Sequence, residues 1–195
     1  MEKLPPGAGR SSFGLIDRKI LFDELNLMSG TSLLDLGCGR GEYAIAAAKF
    51  IGEEGRIYGI DLWEEGIADL REQAAAKGLK NLTALVSDIS KRVPLNNRSI
   101  DVCLMATVLH DLVEVDTAGR TLHEVHRVLT PGGLLAILEF KKVDGPPGPP
   151  LTIRLAPEEV NRIVTPHGFM ERRGVEVGPY NYLMTFSARE FSQRL

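Results

Sequence analysis

The stretch LLDLGCGRG, residues 33–41, constrains the fold of this chain more than any other part of it. Two leucines lead to an acid, Asp35, and glycines then occupy every second position. The alanine-rich segment at 44–49 follows at once and has the composition of a helix. The pattern predicts a strand, a tight turn and a helix, and glycines in such a turn let a ligand approach the backbone closely.

The best-known glycine turn of this kind is the dinucleotide fingerprint G-x-G-x-x-G. Its register fails here, because Glu42 occupies the last position when the count starts at Gly37, and Ala44 does when it starts at Gly39. The chain also has no Tyr-x-x-x-Lys pair of the kind that a nicotinamide-dependent oxidoreductase would use. An NAD-dependent oxidoreductase is therefore the weaker reading of this turn.

Strand-like and helix-like segments alternate along most of the chain. The strand-like runs occupy 31–36, 56–63, 82–90, 99–106 and 134–140, and the helix-like segments between them occupy 44–50, 64–77 and 110–129. This alternation predicts an α/β fold with a parallel sheet that is buried on both faces. Residues 172–189 read as two strands around a turn, which predicts an antiparallel hairpin at the end of the sheet.

A length of 195 residues suits one domain, and we expect residues 1–195 to form it. Residues 1–12, rich in proline, glycine and serine, are expected to be loosely ordered. Residues 13–28 have a helical period and are expected to form a lid or capping helix. The two cysteines, Cys38 and Cys103, are expected to be buried thiols.

A formal net charge of −3 gives no broad attraction to nucleic acid or to an anionic membrane. No apolar run approaches the ~18 residues that a membrane-spanning helix needs. The first ten residues lack the hydrophobic core of a signal peptide. We therefore expect a cytoplasmic protein with no nucleic-acid partner and no membrane insertion, and the sequence permits a homodimer.

Acids lie at the ends of two of the predicted strands, Asp61 in the second and Asp88 in the third. Ligands of open parallel sheets bind at the carboxyl ends of the strands. Asp61 could accept both hydroxyls of a ribose, and Asp88 with Ile89 could bind the edge of an adenine. The alternatives are a helix cap for Asp61 and a turn residue for Asp88. Together, in this order, the two acids favour a nucleoside pocket.

Five ordered motifs now make a resemblance visible. They are DLGCGRG (35–41), GIDLW (59–63), SDI (87–89), SIDVCLMATVLHDL (99–112) and RVLTPGG (127–133). The chain resembles a class I S-adenosylmethionine-dependent methyltransferase of the type 11, UbiE-like small-molecule group. That resemblance implies a Rossmann-like, doubly wound sheet of seven strands, mostly parallel, with an antiparallel C-terminal strand. It also implies S-adenosyl-L-methionine as the cofactor.

The resemblance implies that Asp35, Gly37 and Gly39 border the methionine part of the cofactor, that Asp61 holds the ribose, and that Asp88 with Ile89 holds the adenine. Cys38 lies in the same turn and Leu62 could pack against the flat base, which makes eight cofactor-binding candidates. For Asp35 a second reading stays open, in which its carboxylate orders the turn by accepting main-chain amides.

A base is needed only if the methyl acceptor starts protonated. The candidates are His110 and Asp111, because in the resembling family the end of the fourth strand faces the transferred methyl. The alternatives are a packed helix-start residue for His110 and a helix cap for Asp111. No metal site is expected, since His123 and His126 would need a third ligand that the sequence does not indicate.

The leading hypothesis is a methyltransferase that acts by direct displacement on a small, apolar or aromatic acceptor. The absence of an Asn- or Asp-Pro-Pro-Tyr sequence after the fourth strand argues against amide or nucleobase amine methylation. A protein that binds S-adenosylmethionine without transferring its methyl group remains an alternative. The sequence does not identify the acceptor.

Overall fold

One seven-stranded sheet organises the computed structural model, which describes Gly7 and residues 9–190. The strands are β1 (Ser32–Leu36), β2 (Arg56–Asp61), β3 (Leu82–Val86), β4 (Ile100–Ala106), β5 (Leu129–Phe140), β6 (Phe169–Glu176) and β7 (Asn181–Ala188). Their order is β3-β2-β1-β4-β5-β7-β6, and the pairs among β1 to β5 are parallel. β7 runs antiparallel to both β5 and β6. The expected fold class is confirmed.

Six α-helices cover the sheet. They are α1 (Arg18–Leu25), α2 (Glu42–Ile51), α3 (Glu64–Ala76), α4 (Leu109–Glu114), α5 (Ala118–Val128) and α6 (Pro157–Val164), with short 3-10 helices at Phe13–Leu15, Leu151–Ile153 and Thr165–His167. No helix within the described ranges combines the length and the apolar character needed to cross a bilayer.

Residues of β1 pack into two apolar clusters, one on each face of the sheet. Leu33 packs into a cluster with α1 and α2, while Leu34 and Leu36 pack into a cluster with α5 and α6 on the opposite face. All three leucines are fully buried. This is the double-sided burial that the continuous apolar runs predicted for a parallel sheet.

The parallel direction of β1 to β4 brings their carboxyl ends to one edge of the sheet. The residues that follow these ends are the glycine loop (residues 37–41), the acids Asp61 and Asp88, and His110. Strands β2 and β3 end earlier than the sequence suggested, at 61 and 86 rather than 63 and 90. The segments beyond them are therefore loops that line this edge.

The continuous helix predicted for 13–28 is wrong. A 3-10 turn at Phe13–Leu15 is followed by extended backbone at Ile16, and α1 begins only after Asp17. The Asp17 carboxylate accepts the amide of Lys19 at 2.9 Å, which caps the new helix. Asn26, in a left-handed conformation, ends it.

The expectation of a loosely ordered N-terminus falls partly outside the described residues, which omit 1–6 and 8. Within the described part, Ser12 is buried and its hydroxyl lies 2.7 Å from the Tyr43 hydroxyl. Phe13 packs edge-on against the same tyrosine ring. These contacts attach the end of the N-terminal segment to α2.

β5 begins at Leu129, earlier than the strand predicted for 134–140, so residues 131–133 belong to the strand. β5 already pairs with β4 at Leu129, and the register shifts before Leu134 pairs with Val102. The expected thiols Cys38 and Cys103 are buried and free. Burial raises the pKa of both thiols above their ordinary range, so neither is poised as a nucleophile.

Candidate functional site

The glycine loop passes between two side chains that leave no room for a Cβ. A Cβ on Gly37 would lie 2.5 Å from Val108 Cγ2, and one on Gly41 would lie 2.3 Å from Leu70 Cδ1. Both glycines also have positive φ angles. At Gly39, by contrast, a Cβ would meet nothing within 4 Å. The loop is therefore held from both sides and open at its tip.

Asp61 joins the end of β2 to the glycine loop. Its Oδ2 accepts the amide of Gly39 at 2.7 Å, and its Oδ1 accepts the amide of Trp63 at 2.8 Å. The second bond is a local turn before α3 rather than a cap of the helix. A carboxylate has about four acceptor positions, so two remain for other donors such as hydroxyl groups.

Asp35 lies beneath the loop and is only 1% exposed. Its Oδ2 accepts the amide of Ala44 in the first turn of α2 at 3.1 Å. Burial raises the pKa of Asp35 to about 7; the Ala44 hydrogen bond opposes the rise and the charge of Asp61 adds to it. In the structure this carboxylate orders the strand-to-helix turn, which is the second reading of the sequence.

Replacing Asp35 with asparagine is expected to change the pH dependence of stability. The folded state holds the Asp35 proton up to about pH 7, whereas the unfolded chain releases it near the ordinary value of 3.8. Asp35 therefore lowers stability as the pH rises through this window. We expect equal unfolding free energies at about pH 4 and an Asp35→Asn advantage of up to about 4 kcal/mol at about pH 8. Urea unfolding at both pH values measures it, and a pH-independent difference would contradict it.

Asp88 forms the turn that was the alternative reading of the sequence. Its Oδ1 accepts the amide of Ser90 at 3.0 Å and the hydroxyl at 2.6 Å, and its Oδ2 lies 3.2 Å from Lys91 Nζ. Burial alone would raise the pKa of Asp88, but these partners outweigh it and lower the pKa. The Ser87 amide donates to the Asp61 carbonyl at 2.9 Å, so the two acidic strand ends are neighbours.

The apolar residues near these acids differ in exposure. Leu62 is 52% exposed and Trp63 is 8% exposed. Ile89 is half-buried, and its carbonyl accepts the Thr121 hydroxyl at 3.3 Å. The indole Nε1 of Trp63 is buried without a hydrogen-bond partner among the described residues. Leu62, after β2, and Ile89, after β3, therefore offer accessible apolar surface at this edge.

Two glycines of the N-terminal segment lie near this edge. A Cβ on Gly9 would lie 3.7 Å from Trp63 Cη2, and one on Gly7 would lie 3.5 Å from Asp111 Oδ2. Gly9 and Gly7 are thus close to residues at the starts of α3 and α4. The role of residues 13–28 as a lid stays a prediction.

His110 and Asp111 lie in the first turn of α4, and His110 is 5% exposed. The imidazole Nδ1 lies 2.8 Å from Glu139 Oε2, and Nε2 lies 3.5 Å from Asp111 Oδ1. Val108, not Asp111, occupies the cap position of this helix, so the cap alternative for Asp111 is wrong. The structure brings together the two predicted residues and a third acid.

The pKa values of this group reflect the crowding of acids. Burial lowers the pKa of His110, but the hydrogen bond and charge of Glu139, with the charges of Asp111 and Glu114, outweigh it and raise the pKa above 6.5. Burial also raises the pKa of Asp111, against the opposing effect of His110. The group therefore holds protons more tightly than isolated side chains do.

Sequence reasoning missed Glu139. It is the penultimate residue of the run LLAILEF, which reads as a continuous apolar strand. The signal was the same one that identified Asp61, an acid at the carboxyl end of a buried parallel strand. Glu139 has no solvent exposure, and that degree of burial is rare for a glutamate without a partner.

The glycine loop has few free donors for a phosphate. Four of its amides already donate at 2.7–3.1 Å: Gly37 and Cys38 to the Ile60 carbonyl, Gly39 to Asp61, and Gly41 to the Cys38 carbonyl. Arg40 is also occupied, with Nε at 2.9 Å from Asp69 and the guanidinium over the Trp63 ring. Because pyrophosphate sites need free amides at a helix start, this loop suits a ligand without phosphate.

Comparisons with known proteins agree with this geometry. A protein family described as a methyltransferase domain matches residues 27–165. The demethylmenaquinone methyltransferase of Geobacillus stearothermophilus is 31% identical over 63% of this chain and 50% of its own length. That of Lactobacillus johnsonii is 29% identical over 90% of this chain and 68% of its own length. This chain thus spans half the length of the first relative.

A solved structure covers nearly the whole chain. It is the crystal structure of a SAM-dependent methyltransferase from Aquifex aeolicus, which is 33% identical and superposes with a TM-score of 0.82. The match includes 93% of this chain and 93% of that one. The likeness therefore extends over the sheet, its carboxyl edge and the terminal hairpin.

Proposed function

Because the chain belongs to the methyltransferase domain family, among the class I S-adenosylmethionine-dependent methyltransferases of the UbiE-like group, we propose that it methylates a small-molecule acceptor by direct displacement. One observation carries the proposal. The open tip of the glycine loop, at Gly39, and the acids Asp61 and Asp88 follow adjacent parallel strands at one edge of the sheet. Such an edge is where open α/β sheets bind nucleotides and related ligands.

The chemistry of this edge fits S-adenosylmethionine. Hydroxyls and an amine suit the acids Asp61 and Asp88, and the occupied loop amides suit a nucleoside without phosphate. We assign the methionine part to Asp35, Gly37 and Gly39 with Cys38 in the same turn, the ribose to Asp61, and the adenine to Asp88 and Ile89 with Leu62 against the flat base. When bound, S-adenosylmethionine supplies a methyl group made electrophilic by a positively charged sulfur.

The acceptor is proposed to be a small aromatic ring that carries a proton to be removed. The support is twofold: the two relatives are named for a quinone-type substrate, and the buried His110 with Asp111 offers a proton acceptor at the end of β4. Burial lowers the pKa of His110, but Glu139, Asp111 and Glu114 outweigh it and raise the pKa, which makes the neutral imidazole a stronger base. Alignment of the reactants and exclusion of water would supply most of the remaining rate enhancement.

Replacing Asp61 with alanine is expected to weaken the binding of S-adenosylhomocysteine by about 1–3 kcal/mol, because charged hydrogen bonds to the ribose would be lost. Isothermal titration of the wild type with S-adenosylmethionine, S-adenosylhomocysteine and NAD measures the starting affinities. We expect the first two ligands to bind and NAD not to bind.

Asp23→Ala serves as the matched control, because Asp23 makes an exposed ion pair with Lys19 in α1, far from this edge. It should leave the affinity unchanged. Asp61 also accepts the amides of Gly39 and Trp63, so its replacement could disturb the glycine loop itself. Thermal unfolding of both variants distinguishes this loss of structure from the loss of a direct contact with the ligand. Tight binding of NAD without binding of S-adenosylhomocysteine would overturn the proposal.

A further inference from the structure

Glu139 is a fully buried carboxylate at the carboxyl end of β5, beside the proposed base. We propose that Glu139 is a positioning residue: it holds the imidazole of His110 so that Nε2, next to Asp111, receives the proton of the methyl acceptor. This inference rests on the proposed function, which supplies the acceptor and the methyl donor. It adds a residue and a role that the sequence motifs do not contain.

The contacts of Glu139 converge on His110. The Nδ1 atom of His110 lies 3.0 Å from Oε1 and 2.8 Å from Oε2, and the His110 amide donates to Oε1 at 3.1 Å. The Phe140 amide donates to Oε2 at 3.3 Å. Within residues 9–190 no lysine or arginine forms an ion pair with Glu139. A carboxylate so deeply buried needs hydrogen-bond donors, and the Nδ1–H group of His110 is placed to provide one.

This arrangement sets the tautomer of His110. An ionised carboxylate only accepts hydrogen bonds, so the ring nitrogen that faces Glu139, Nδ1, must carry a proton. The lone pair of the neutral ring is then on Nε2, which lies 3.5 Å from Asp111 Oδ1. The side chain of Asp111 is 24% exposed, so the Nε2 edge faces the accessible side of the group.

The proton step balances as follows. As the acceptor forms its new bond to the methyl carbon, the carbon–sulfur bond breaks and its electron pair stays on sulfur. The acceptor's O–H or N–H bond breaks, its electron pair stays on the acceptor, and the proton forms a bond to Nε2. The resulting imidazolium is stabilised by Glu139, and Asp111 can relay the proton outward. Histidine orientation by a buried carboxylate is a recurrent arrangement in acid–base catalysis.

The charges around His110 are all acidic. Glu139 faces it from β5, and Asp111 and Glu114 act on it from its own helix. Together they raise the pKa of His110 in spite of its burial. Removal of the nearest charge should therefore make the imidazole easier to deprotonate and leave its two tautomers less different in energy.

The decisive variant is Glu139→Gln, which keeps the size of the side chain and removes its charge. We expect kcat to fall about 10- to 100-fold, by analogy with other partners that orient a functional histidine. The KM for S-adenosylmethionine should stay within about twofold, since Glu139 touches none of the proposed cofactor residues. The rise of kcat with pH should move down by about one pH unit or more. Nitrogen-15 NMR of His110 should show the Nδ1–H tautomer in the wild type and a mixture in the variant.

Glu124→Gln is the matched control. Glu124 is a partly buried glutamate outside the site, where it accepts the Val93 amide and pairs with Arg127. It should lower stability without moving the pH profile or the tautomer. If Glu139→Gln fails to fold, Glu139→Asp replaces it, because aspartate keeps the negative charge on a side chain shorter by one methylene group. We expect Glu139→Asp to lower kcat without shifting the pH at which kcat rises.

The outcomes separate the two proposals. If folded Glu139→Gln keeps the wild-type His110 tautomer and the wild-type pH dependence of kcat, the role of Glu139 is overturned. A changed His110 tautomer with a wild-type kcat would overturn it as well. A wild-type protein that binds S-adenosylhomocysteine but methylates no acceptor in a labelled-methyl screen would overturn the proposed function. The tautomer measurement needs no acceptor, so it still tests the hold of Glu139 on His110 in that case.

Discussion

Replacement of His110 by glutamine is expected to lower kcat by about 10²- to 10⁴-fold, the range that a general base contributes. The glutamine side chain can still donate an N–H to Glu139 but cannot accept a proton at neutral pH. The fold should therefore survive while the base is lost. His110→Ala should show the same kinetic loss together with lower stability, because Glu139 would remain buried without its partner.

The measurement is a single-turnover assay with a labelled methyl donor and an acceptor found by screening. S-adenosylhomocysteine affinity should stay within about twofold, because His110 binds the proton of the acceptor rather than the cofactor. His123→Gln, at an exposed position of α5, is the control and should behave as the wild type. A wild-type rate in His110→Gln would remove His110 from the mechanism and Glu139 with it.

Replacement of Arg154 by methionine is expected to lower the free energy of unfolding by about 3–4 kcal/mol, mostly through lost hydrogen bonds from a charged donor. Arg154 is 2% exposed, and its guanidinium lies over the Phe140 ring. It donates at 2.6–3.2 Å to the carbonyls of every second residue of the preceding loop: Lys141, Val143, Gly145, Pro147 and Pro149.

Urea unfolding measures this loss, and limited proteolysis within 141–153 shows whether the loop opens first. Arg154→Lys should be intermediate, because an ammonium group has three donors where the guanidinium has five. Arg120→Met, an exposed position of α5, is the control and should cost little. Equal stability and equal protease resistance in Arg154→Met and the wild type would show that the loop keeps its shape without the guanidinium.

Regular features of the fold could be predicted because they depend on local periodicity. The alternation of apolar runs indicated the parallel sheet, and the acids Asp61 and Asp88 were expected at one edge of it, where the structure has them. The helix at 13–28 was predicted wrongly, although Asp17 is a residue type that caps helices. The helical spacing of apolar residues continues through residues 16 and 17, where the structure has no helix. This spacing favoured one continuous helix over a new helix capped by Asp17.

The histidine group shows why part of the site could not be predicted. His110 and Asp111 follow a strand and stand out in the sequence, whereas Glu139 is embedded in an apolar run 29 residues later. Its function depends on the pairing of β4 with β5, which places the two strand ends side by side. The contacts of Arg154 could not be predicted either, because no motif in the preceding sequence indicates that five carbonyl oxygens converge on its guanidinium.

The Arg154 contacts also bear on how this protein could diverge from its relatives. Because the hydrogen bonds of the guanidinium to this loop all end on backbone oxygens, most side chains between 141 and 149 can be exchanged without removing an acceptor. In the segment that follows β5, the backbone conformation is therefore largely independent of the side chains exposed on its surface. Natural or engineered substitutions could therefore change the side chains of this loop one at a time while Arg154 maintains its backbone conformation.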